Sequence, residues 1–103
     1  MLILPIKKKW FDMIASGEKK EEYREIKPYW KTRFLNELKR TAFYNLSLYT
    51  VDIPIWVIFR NGYRKDSPTI KCECTISTGG GKPEWGAEPN KEYLILDIWE
   101  VYK

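Results

Sequence analysis

The chain has 103 residues (12.3 kDa), with 18 basic and 14 acidic side chains, no histidine, 44% apolar residues and 16% aromatic ones. That length predicts one domain, residues 1–103, able to bury roughly two-thirds of its unfolded surface, and the apolar share excludes a disordered chain. No apolar run approaches the length that crosses a bilayer, and "MLILPIKKK" carries its charge after the apolar residues, the reverse of a secretory leader, so a cytoplasmic protein without membrane contact is expected.

"LILPI" reads as a short first strand. "KKKWFDMIAS" then places Trp10, Phe11, Met13 and Ile14 at helical spacing, an aromatic stripe assigned to the core, and Gly17 stops the helix. The next stretch, "GEKKEEYRE", is dense in charge. As a helix it sets Glu18 against Glu22, Lys20 against Arg24 and Glu21 against Glu25, three like-charged pairs at i, i+4. As a strand it places Lys20, Glu22, Arg24 and Ile26 on one face with charges of alternating sign, so a strand is the expectation. Such a face is either a solvated edge or the wall of a polar cleft.

"KPYWKTRFLNEL" follows as a second short helix, with Pro28 at its first position and Trp30, Phe34 and Leu38 forming its apolar stripe. "RTAFYNLSLYT" fits a strand or an extended connection. "IPIWVIFR", bounded by Asn61-Gly62, reads as a central strand entering a turn. "TIKCECTIS" turns Ile70, Cys72, Cys74 and Ile76 inward, which makes the two cysteines buried thiols rather than a disulfide. "GGGKPEWG" is a glycine-rich connection, read as a flexible loop or as a mobile lid in which Trp85 stacks on a base. It is not a phosphate-binding P-loop, because Pro83 follows Lys82 where Ser or Thr is needed. "EYLILDIWEVY" is a last strand apolar on both faces. Strands and two short helices without regular alternation predict an α+β fold or a small barrel.

Several chemistries are excluded. Without histidine there is no Ser-His or Cys-His nucleophile, and two thiols cannot complete a zinc shell, so neither a metal nor another cofactor is expected. Catalysis falls to Lys, Glu, Asp, Tyr, Ser, Thr or Cys. The positive charge is concentrated: residues 1–40 hold 11 basic and 6 acidic side chains, residues 82–103 only 3 and 5. That distribution suits an anionic partner such as nucleic acid or a nucleotide. The run Lys7 to Lys9 adds phosphate contacts or is a solvated first helical turn.

Gly17, Lys19, Glu22 and Arg24, on a strand after a short helix, resemble the signature GxKxxExR of the ASCH domain family. "FRNGY" (Phe59 to Tyr63) and "GKPEWGAEP" (Gly81 to Pro89) are similar to segments of a phage- and bacterial-type branch, so the resemblance covers most of the chain. It implies a PUA-like β pseudo-barrel of five or six strands with flanking helices, a cleft lined by the signature, and RNA or a modified nucleoside or nucleotide as partner. Some members of the family are hydrolases. The branch that removes the acetyl group from N4-acetylcytidine resembles this chain at Gly17, Lys19 and Arg24 but has threonine where Glu22 stands.

Two functions follow as expectations. The first is an RNA- or nucleotide-binding domain whose polar cleft is lined by Lys19, Glu22 and Arg24, with Arg60, Asn61, Tyr63 and Trp85 reaching the ligand. The second is a hydrolase acting on a modified nucleoside or on RNA. There Lys19 is the reactive group, Glu22 orients it or activates water, and Arg24 holds a phosphate or carbonyl oxygen.

Overall fold

A computed structural model describes residues 1–42 and 53–103. Its elements run β1 (Leu2–Ile6), α1 (Lys8–Ala15), β2 (Glu21–Glu25), α2 (Pro28–Ala42), β3 (Ile55–Asn61), β4 (Thr69–Gly80) and β5 (Glu92–Tyr102), with a 3-10 turn at Pro83–Trp85 between the last two strands. The five strands form one curled sheet in the order β1-β3-β4-β5-β2, a half-barrel consistent with a small pseudo-barrel. The fold is α+β, as the element pattern predicts. Among the described residues, β1 and β3 pair in parallel and the other neighbouring strands are antiparallel.

The concave side of the sheet holds the main core. Inward residues of β3 and β4 alternate along each strand, Ile55, Val57 and Phe59 against Cys74, Cys72 and Ile70, and α1 and α2 close over them with Phe11, Ile14 and Phe34. Both cysteines are buried and free. Burial pushes the Cys72 thiol up to about 12 and raises Cys74 further, so both stay protonated near neutral pH. β5 is buried on both faces. Leu94 and Leu96 enter the core, while Tyr93 and Ile95 join Tyr23 and Ala87 in a second apolar cluster.

Three sequence expectations shift in detail. The charged strand begins at Glu21 rather than Glu18, because Ser16 and Gly17 still bond back to Asp12 and Ile14 of α1 and the chain turns through Lys19. The second helix is not short: it runs 15 residues to Ala42. The segment of uncertain type that starts at residue 40 enters the last turn of that helix and otherwise lies outside the described residues. Among the described residues, no helix is long and apolar enough to cross a membrane.

Strands β1 and β2 are the two edges of the sheet, and its curl brings them toward each other. Arg24 on β2 donates from Nη2 to the carbonyl of Pro5 on β1, at 3.4 Å. One side chain thus bridges the seam that a closed barrel would seal with backbone pairs. The candidate site lies at this seam.

Candidate functional site

Local geometry explains why charges gather here. Gly17 takes φ +85°, which reverses the chain after α1, and the Lys19 amide then donates to Met13 O at 2.9 Å. The turn drives the Lys19 side chain inward, where it is 1% exposed. From there β2 alternates: Glu22 lies opposite Leu96 and Arg24 opposite Leu94, so both face the concave side.

Lys19, Glu22 and Arg24 form one chain of ion pairs. Lys19 Nζ is 3.0 Å from Glu22 Oε1, and Arg24 Nη1 is 3.0 Å from Glu22 Oε2. Each oxygen of the buried carboxylate is therefore matched to one cation, as a carboxylate removed from water requires. Lys19 Nζ also donates to the carbonyl of Trp85 at 2.6 Å and sits 4.9 Å from the ring centres of both Trp10 and Tyr23. Burial lowers the pKa of Lys19, with the Glu22 carboxylate acting in the opposite sense. Arg24 is the outer end of the chain. It donates to Tyr23 O at 2.7 Å, its guanidinium lies 5.2 Å from the Trp30 ring centre, and its side chain keeps 16% of its surface in contact with solvent.

A cleft of about 310 Å3 opens over this chain. Trp10, Tyr23, Trp30, Trp85 and Tyr93 give it aromatic walls, Glu22 and Arg24 a polar floor, and Lys7 and Glu25 add one cation and one carboxylate to its lining. Tyr63, 89% exposed, stands at its mouth. Aromatic walls around a few convergent charged groups are the usual composition of a small-molecule site.

The loop that carries Trp85 is fastened by its own backbone. Tyr23 OH accepts from the Lys82 amide at 2.9 Å and donates to Glu21 Oε1 at 2.7 Å; Tyr93 OH accepts from the Glu88 amide at 2.8 Å. Gly81 rests against the Tyr23 ring and Gly86, at φ +102°, against Trp10. Of the stretch expected as a loop or lid, Gly79 and Gly80 belong to β4 and Pro83–Trp85 forms a 3-10 turn, in a connection that contacts Tyr23, Tyr93 and Trp10.

Of the residues singled out in the sequence, Glu22, Arg24, Tyr63 and Trp85 line the cleft. Lys19 lies behind Glu22, out of reach of solvent. Arg60 and Asn61 are not among the lining residues. Arg60 is half-buried on β3 beside Pro5, with its Nε lacking a hydrogen-bond partner among the described residues, and the Asn61 amide closes the turn onto Pro68 O. Lys20, expected on the face of Glu22 and Arg24, lies in the turn before β2 and lines a different cleft. Sequence reasoning passed over Trp10, Trp30 and Tyr93 as site residues: periodicity marks an aromatic as buried but not as bordering a cavity. Among the described residues, no group of three His, Cys, Asp or Glu side chains could hold a metal ion.

In comparisons with protein-family models, curated proteins and solved structures, no match to this chain was found.

Proposed function

We propose that the seam cleft binds a nucleotide unit of RNA, and that the chain is an ASCH-like, PUA-like domain. The observation that carries this reading is the position of Arg24. It is the exposed end of a buried ion-pair chain, oriented by Glu22 and Tyr23 O, in a cleft lined by aromatic residues. An oriented guanidinium offers a planar fork to a phosphate or a base carbonyl, and the aromatic walls offer stacking surface to a base. The positive excess of residues 1–40 would draw a polyanion toward the same half of the chain.

The test is RNA affinity of the wild type and of Arg24→Ala, with a thermal melt of each. Loss of one charge-assisted contact predicts affinity about ten- to a hundredfold weaker with the fold retained. Equal affinities of the two proteins refute the reading.

The depressed pKa of Lys19 favours a second reading, hydrolysis of a modified nucleoside of the N4-acetylcytidine type or of RNA. An ammonium that gives up its proton more readily than usual can serve as base or nucleophile once deprotonated. Yet Lys19 Nζ is held by Glu22 and Trp85 O and has no exposed surface, so a substrate reaches it only if the Trp85 turn withdraws. Incubation with N4-acetylcytidine and short RNAs, read by mass spectrometry, tests this reading. Turnover that Lys19→Ala abolishes supports it, and an inert wild type sinks it.

A further inference from the structure

Trp85 borders two clefts. Besides the seam cleft, a second cleft of about 350 Å3 opens on the outer side of β2, lined by Lys20, Glu21, Lys82, Asp97, Trp99 and Trp85 itself, with Ile98 at its base. The strand register explains the division: Glu22 faces the core-side Leu96, while its neighbour Glu21 lies opposite Asp97 on the other face. We propose that this outer cleft is a second nucleobase subsite, so that the protein takes a single strand of two or more nucleotides, one base on each side of Trp85. The proposal rests on the reading of the seam cleft as a nucleotide site.

Three observations carry it. First, Trp99 is 68% exposed, yet its indole is held in place, because Nε1 donates to Thr75 Oγ1 at 2.8 Å. A large apolar ring kept in water and oriented by a hydrogen bond is a ready stacking surface.

Second, the charges suit a base edge. Lys20 and Lys82 make no ion pair with any described residue, which leaves their ammonium groups as donors for a base carbonyl or a bridging phosphate. Lys82 Nζ already lies 4.4 Å from the Trp85 ring centre. Glu21 and Asp97 each accept one hydroxyl, from Tyr23 at 2.7 Å and from Ser77 at 2.7 Å, and keep further lone pairs for exocyclic amino groups. Two cations and two carboxylates balance. A neutral set of donors and acceptors fits a base, which presents both, better than a bare anion or a metal ion. Third, Trp85 lines both clefts, so a strand that crosses its ring can place one base on each side of it.

The experiment compares binding of cytidine 5′-monophosphate, a dinucleotide and an octanucleotide of mixed sequence by wild type, Trp99→Ala, Lys20→Ala and Arg24→Ala. A second stacked base predicts a gain of about tenfold or more from mononucleotide to dinucleotide, and Trp99→Ala and Lys20→Ala should reduce that gain. Since Trp99 and Lys20 are exposed, neither variant should unfold, and a melt of each checks this. Equal affinity for the mononucleotide and the dinucleotide, still dependent on Arg24, overturns the subsite and leaves the seam cleft standing. A length-dependent gain that survives both outer-cleft variants also overturns it, and assigns the gain to general phosphate attraction. Failure of the wild type to bind any of the three ligands overturns both the subsite and the reading beneath it.

Discussion

Lys19 is the residue on which the local arrangement turns. A buried ammonium is tolerated when its donors are matched, and here Glu22, the Trp85 carbonyl and two ring faces surround it. Removing the charge while keeping the bulk leaves one oxygen of Glu22 without its partner in a site that is 5% exposed. Lys19→Met should therefore destabilise the protein by about 3–5 kcal/mol, the usual effect of breaking a buried pair from one side. Adding Glu22→Leu should restore part of that loss, because the stranded carboxylate goes with it. Urea midpoints of the single and double variants check both statements. A single variant as stable as wild type would show that Lys19 contributes nothing to the fold.

At the scale of elements, the turn between β4 and β5 is the piece that joins the two clefts, and side chains of other elements position it through its backbone. Gly81 is the tightest point. A Cβ there would lie 2.6 Å from both the Tyr23 ring and the Ala87 Cβ, distances that side-chain carbons do not tolerate. The ring cannot give way easily, since its hydroxyl is fixed at both sides by Glu21 and the Lys82 amide. Gly81→Ala should cost about 1–3 kcal/mol by overpacking. It should also speed hydrogen exchange at the Lys82 amide, whose acceptor would be displaced. Unchanged stability and unchanged exchange would mean that the turn floats rather than docks.

For the whole molecule, burial of ionisable groups sets an alkaline limit. The unfolded chain releases its two thiol protons near pH 8.5 and its tyrosine protons near 10. In the folded protein Cys72 is pushed up to about 12, and burial raises Cys74 and Tyr23 as well. These three groups thus keep their protons longer when folded. Their contribution is complete below pH 8.5 and falls as pH rises beyond it. Lys19 runs the other way: its folded pKa is depressed, so its contribution rises with pH until the unfolded amine also titrates, near 10.4. Three groups oppose one, and stability should decline from about pH 9 upward. Denaturant midpoints between pH 8 and 11 measure this decline, and Cys72→Ala with Cys74→Ala should make it shallower. A stability that is flat or increasing over that range contradicts the assignment.

The elements were legible in the sequence where a single period rules a segment. Ile70 to Ile76 alternates cleanly and forms β4; Trp30, Phe34 and Leu38 recur every four residues and form one face of α2. The like-charge conflicts in "GEKKEEYRE" favoured a strand over a helix, because residues four apart are neighbours on a helix but lie about 13 Å apart along a strand. Charge spacing alone placed Glu22 and Arg24 on one face, wrongly with Lys20; Lys19 was singled out only by the resemblance to the GxKxxExR signature. What the tertiary structure alone decided is which charge is inside and which is at the surface. Lys19 is sealed behind Glu22, Arg24 reaches the cleft, and Lys20 lines the other one. That division arises from the curl of the sheet, which brings β1 beside β2 and seats the Trp85 turn over the end of an edge strand. Contacts between residues nineteen or sixty-six positions apart, Arg24 to Pro5 and Lys19 to Trp85, leave no mark on local periodicity.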